Sequence, residues 1–126
     1  MIAGGIGIAP MRSMLLSMRD RGDRRPVVLF YAVHDEDRLI CRGDIDRLQA
    51  SLNLDVVLVF EAPPPGWSGE EGQITPDILR RHLPVQFRQY HYFVCGPPPM
   101  MDAVEAMLAA LGVPPGSIES ERFNVV

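Results

Sequence analysis

Hydrophobic positions along the chain fall into two alternating rhythms. Met11, Met14, Leu15 and Met18 recur at i, i+3, i+4 and i+7, and this apolar helix face predicts a helix from about Pro10 to Arg21. Gly22 stands where a helix-terminating glycine belongs. Val27–Val33 is instead an unbroken apolar run of strand length, as expected of a strand covered on both faces. The pair then repeats, with Ile45, Leu48 and Leu52 marking a helix face and Val56–Phe60 a second buried strand that ends at Glu61.

A loop rich in Pro and Gly follows from Ala62 to Gly72 and carries the single Trp, at position 67. Thr75-Pro76 reads as an N-cap with proline in the first helical position, opening a short helix to about Leu83. Tyr90–Cys95 is a further strand, and Met100, Val104, Met107, Leu108 and Leu111 form a helical stripe stopped by Gly112. Ile118–Ser120 is a short last strand. Only Met1–Ala3 precedes the first turn, a stub where a strand of five or six residues is usual. The expected fold is therefore α/β: a Rossmann-like open parallel five-stranded sheet in the order 3-2-1-4-5. Helices cover both faces, the first and central strand is truncated, and residues 1–126 form a single domain.

Composition narrows the chemistry. All 12 basic residues are Arg, so phosphate-loop kinase and Schiff-base chemistry, both of which need Lys, are excluded. A net charge of −4 with scattered arginines argues against a nucleic-acid partner. No stretch has the length of a membrane span and no leader resembles a signal peptide, while Cys41 and Cys95 sit on different elements and read as free thiols. This pattern fits a cytoplasmic location. His34, His82 and His91 lack metal-ligand spacing, so no metal site is assigned. Asp35-Glu36-Asp37 reads as a polar loop.

Two turns carry the functional signal. Gly4-Gly5-Ile6-Gly7-Ile8-Ala9-Pro10 joins the strand stub to a helix, and Cys95-Gly96-Pro97-Pro98-Pro99-Met100 does the same later. Small residues there let backbone amides approach a pyrophosphate, and the helix N-terminus adds positive partial charge. A tight turn without a ligand, and a cysteine serving as a small core hydrophobe, would use the same residues. The two turns lie on one sheet edge, which favours a nucleotide cradle. Ser120-Glu121-Arg122-Phe123 adds a carboxylate and an aromatic ring near the end of the chain.

In this order and spacing, Gly-Gly-x-Gly-x-x-Pro, Cys-Gly-Pro-x-x-Met and Glu-x-Phe resemble the nucleotide-binding domain of ferredoxin–NADP reductase family flavoenzymes. The similarity is strongest to bacterial ferric-reductase-like flavoprotein oxidoreductases. The resemblance implies pyrophosphate binding at Gly5, Gly7 and Pro10, with Gly4 and, in the second turn, Gly96, Pro97 and Met100 as further cofactor-binding residues. It places Cys95 beside the nicotinamide, and Glu121 and Phe123 at the flavin–nicotinamide contact. Ala9 stands where the family often has Thr, so a hydroxyl hydrogen bond to the nicotinamide is lost. Glu61, at the end of a strand, accepts the ribose hydroxyls and repels a 2′-phosphate, so NADH is expected over NADPH; His34 is a further adenosine contact.

The resemblance also implies FAD, held mainly by a β-barrel domain that these residues do not contain, and an electron-acceptor partner such as a haem or iron–sulfur protein. The chain is then the C-terminal part of a longer flavoprotein, which the resemblance allows to be attached to a membrane. The alternative is a non-catalytic nucleotide-binding module that regulates or docks a partner.

Overall fold

The alternating rhythms resolve into a single parallel sheet with helices on both faces. A computed structural model describes residues 1–122. The strands are β1 (Ile2–Gly4), β2 (Val27–Val33), β3 (Leu54–Phe60), β4 (Glu70–Glu71), β5 (Tyr92–Cys95) and β6 (Ile118–Glu121), in the order β4-β3-β2-β1-β5-β6. Every pairing is parallel. The helices are α1 (Ile8–Asp20), α2 (Arg42–Ser51), α3 (Pro76–His82) and α4 (Pro98–Ala110).

The expected order is present with one strand added. β4 pairs with Val59 and Phe60 at the outer edge, making six strands rather than five. Its two glutamates carry no apolar pattern. They are held instead by backbone and charge: Gly72 N donates to Phe60 O at 2.8 Å, and Arg81 and His82 bind the Glu70 carboxylate at 2.8 and 3.1 Å. Burial alone would raise the Glu70 pKa, and these two partners more than offset it and hold it below the ordinary value.

Strand alternation divides the core in two. Ile2, Phe30, Val57, Val59 and Val94 face α3 and α4, while Ala3, Leu29, Tyr31, Phe60 and Cys95 face α1 and α2. Among the described residues no polar or charged side chain is buried apart from the Tyr31 and Tyr92 hydroxyls, and both of these are hydrogen-bonded. β1 has three residues but pairs on both sides, with Phe30–Ala32 and with Val94–Cys95. The short strand is central, as expected.

Local boundaries shift for identifiable reasons. α1 begins at Ile8, not Pro10, because Gly5–Gly7 already coils as a 3-10 turn. Tyr90 lies outside β5 and ends a 3-10 turn over Phe87–Gln89. In α4 the face buried against the sheet is Met101, Val104, Leu108 and Leu111. Met100 and Met107, expected in that stripe, pack half-buried against the same cluster and also line the cleft described below. Thr75 caps α3 as expected, its hydroxyl accepting from Ile78 N at 3.2 Å.

The ladder between β1 and β2 extends to Met1, whose backbone nitrogen donates to Val28 O at 2.9 Å.

Candidate functional site

The two glycine turns meet at the carboxyl edge of the sheet, and they meet through backbone. A Cβ on Gly7 would lie 2.1 Å from Cys95 O and 2.9 Å from Gly96 N. One on Gly96 would lie 3.1 Å from Gly4 N, and one on Gly4 would lie 2.4 Å from the Met100 sulfur. Gly4, Gly7 and Gly96 therefore serve turn-on-turn packing, with the Met100 thioether closing the gap. Gly5 differs. It adopts φ +54°, and nothing lies within 4 Å of where its Cβ would be.

Beside Gly5, α1 opens with Gly7 as N-cap, no side-chain cap and no acid in its first turn. Ala9 is exposed and Pro10 half-buried there. An uncapped helix N-terminus with no acid in its own first turn is electrostatically prepared for an anion, and the open side of Gly5 admits one to backbone contact.

A cleft lies on each side of this point. One, of about 430 Å³, runs from Gly4 and Gly5 across the ends of β2 and β3 to α4. His34, Arg38 and Glu61 form its polar wall, and Ile74, Met100 and Met107 contribute apolar surface. The β2–β3 ladder continues past the strand ends: Glu61 N donates to Val33 O at 3.2 Å and Ala62 N to His34 O at 2.7 Å. His34 Nδ1 and Glu61 Oε2 consequently face one another at 3.1 Å.

The second cleft, of about 220 Å³, is bounded by Pro10, Met14, Cys95 and Glu121. Register pairs Cys95 with Glu121 across β5 and β6. Arg122 holds the end of β6 to α4 through Asp102 at 2.8 Å and Glu105 at 3.2 Å. Cys95 is fully buried, and burial, followed by the Glu121 charge, raises its thiol pKa above the ordinary 9.0. It is a neutral thiol at pH 7.

The sequence-derived candidates thus fall into two groups about one turn. Gly4, Gly5, His34, Glu61, Pro97 and Met100 line the larger cleft, and Pro10, Cys95 and Glu121 the smaller. Gly7 and Gly96 are packed between the turns. Phe123 lies outside the described residues.

Arg38 and Gln73, which also line the larger cleft, carry no sequence signal of their own. Arg38 is set by the preceding turn: Asp35 caps it by accepting from Arg38 N at 3.1 Å and also pairs with the Arg38 guanidinium. The Asp35-x-x-Arg38 spacing was the one available clue. Among the described residues no group of His, Cys, Asp and Glu could hold a metal ion, and no helix is long and apolar enough to cross a membrane.

A further cavity, of about 610 Å³, opens at the opposite edge beside Met1, Val27 and Tyr92. Helices α1 and α3 present their C-terminal ends there, at Met18 and Leu83. That dipole end disfavours anions.

A family model described as an oxidoreductase NAD-binding domain matches residues 1–106. NADH-cytochrome b5 reductase 1 of Cryptococcus neoformans var. neoformans serotype D is 36% identical over 124 residues, covering 90% of this chain and 42% of that protein. The xylene/toluene monooxygenase electron transfer component XylA of Pseudomonas putida is 35% identical over 126 residues, covering 97% of this chain and 35% of that protein. The chain therefore spans less than half the length of these relatives. The cytochrome b5 reductase domain of Ulva prolifera nitrate reductase superposes with a TM-score of 0.80 at 28% identity, over 97% of this chain and 46% of that one.

Two outcomes test the site's construction. Gly7→Ala forces a methyl into backbone and is expected to destabilise the chain by more than ~3 kcal/mol, whereas Gly5→Ala meets only backbone strain and costs ~1 kcal/mol. Chemical denaturation of both variants measures the contrast. Iodoacetamide at pH 7.5 is expected to modify half-buried Cys41 first and leave Cys95 unmodified until unfolding, as read by peptide mass.

Proposed function

Because this chain belongs to the oxidoreductase NAD-binding domain family, we propose that it is the NADH-binding part of a flavin-dependent oxidoreductase. Its relatives include an NADH-cytochrome b5 reductase and a monooxygenase electron transfer component, which supports this class. The observation that carries the reading is the open, positive-φ Gly5 beside an uncapped helix N-terminus, with a cleft on either side. A dinucleotide is a central pyrophosphate with two arms, and this arrangement has the same form.

In this reading the pyrophosphate rests on Gly5 and the first turn of α1, where no acid opposes it. The adenosine arm occupies the larger cleft, with Glu61 accepting from the ribose hydroxyls and His34 alongside. The nicotinamide arm enters the smaller cleft, between the Cys95 wall and Glu121. Ala9 offers no hydroxyl there, so orientation of that ring falls to shape and backbone. When bound, NADH would supply a hydride and FAD would be its acceptor. The chain's own contribution is to hold the nicotinamide in place and shield it from water, and no side chain needs to move a proton.

Glu121 and Cys95 would form one wall towards the flavin, and Phe123 is assigned to the same contact. An FAD-binding barrel domain and an electron-acceptor protein or domain, carrying haem or an iron–sulfur cluster, complete the pathway. A cytoplasmic setting, including the cytoplasmic face of a membrane-attached parent, matches the NADH supply and the two free thiols.

Calorimetric titration of the chain with NADH and NADPH tests the assignment. NADH is expected to bind at least ~tenfold more tightly, because Glu61 faces the 2′ position. The double change Glu61→Ser with Ala62→Arg is expected to reverse that order. Failure of the parent chain to bind either nucleotide overturns the reading.

A further inference from the structure

Among the described residues, Glu61 is the single carboxylate lining the larger cleft, and its side chain is half-exposed. A carboxylate at a strand end on three rotatable bonds would ordinarily sample solvent. A half-exposed ion pair adds little to stability and is not needed for the fold. Here, however, the partner is fixed by backbone: Ala62 N donates to His34 O, so the imidazole rises from a position locked beside Glu61.

We propose that His34 is a positioning residue for nucleotide selection, its Nδ1–H pinning the Glu61 carboxylate towards the ribose so that a 2′-hydroxyl is accepted and a 2′-phosphate refused. This rests on the NADH-binding reading above. An ionised carboxylate only accepts, so Nδ1 carries the proton in this contact. One oxygen, Oε2, is taken by His34, and Oε1 is left for the nucleotide. Orientation fixed before binding removes the cost of ordering the carboxylate and keeps its charge where a phosphate would arrive.

The neighbouring charges support this division of roles. Among the described residues, Arg38 is the only other charged side chain lining the cleft, and its guanidinium is engaged by Asp35 rather than by Glu61. Asp35 in turn is occupied in capping the Arg38 turn. The Tyr31 hydroxyl ties down the far end of this loop, accepting from Ile40 N at 3.2 Å. Among the described residues, His34 is thus the one side chain that restrains the Glu61 carboxylate.

The test uses ADP-ribose and 2′-phospho-ADP-ribose, which address the adenosine arm alone, titrated calorimetrically into the full chain. The readout is the ratio of the two dissociation constants in the parent, His34→Leu, His34→Asn, Glu61→Gln and the His34→Leu/Glu61→Gln double variant. Asn places an amide N–H where Nδ1 stands. His34→Leu is expected to reduce discrimination against the 2′-phosphate by ~5–10-fold, while His34→Asn stays within ~twofold of the parent. Since His34 acts through Glu61, the double variant should discriminate no worse than Glu61→Gln alone.

A purely structural role would weaken both ligands equally and leave the ratio unchanged. That result, or additive effects in the double variant, overturns the inference while leaving NADH binding intact. A parent chain that binds neither ligand overturns the NADH-binding reading itself.

Discussion

The site depends on one backbone contact: the Cα of Gly7 against the Cys95–Gly96 peptide. β1 and β5 are adjacent parallel strands, so the turns leaving them emerge side by side at the same edge. With a Cβ at Gly7 the turns would have to separate, and α1 and α4 would then leave the sheet on altered paths. Three of the four glycines in the two motifs are consumed by this packing. Gly5 and the uncapped start of α1 are left open because the others hold the turns together.

Around that contact the electrostatics differ between the helix N-terminus and the strand ends. The first turn of α1 has no acid of its own, which leaves its partial positive charge uncapped. Glu61, just past the end of β3, lines the larger cleft, and Glu121, at the end of β6, lines the smaller. Cys95 between them is kept neutral by burial, and serves as packing surface rather than as a nucleophile.

Much of the fold was legible because its signals are local. The helix faces of α1 and α2, the apolar runs of β2 and β3, and the Thr75-Pro76 cap each occupy a few consecutive residues with one periodicity. β4 was not legible, since its pairing is through backbone and its anchor, Glu70 to Arg81 and His82, spans 11 and 12 residues. In the α4 stripe, Met100 and Met107 pack against the core and also line the cleft, while Met101 is buried without having been singled out. Methionine suits a core position and a cleft wall equally, and only the location of the sheet and of the glycine turns distinguishes them.

By itself the sequence determined the alternation of strand and helix, the two places where backbone could come close, and the residue types able to meet a dinucleotide. These follow from steric and periodic rules acting over a few residues, which a linear chain records directly. The tertiary structure alone decided which of them meet: that Gly7 abuts Cys95, that Gly5 stays open, and that His34 and Glu61, 27 residues apart, share a hydrogen bond. Those facts depend on strand order and register, which are fixed by burying both faces of the sheet at once rather than by any single segment.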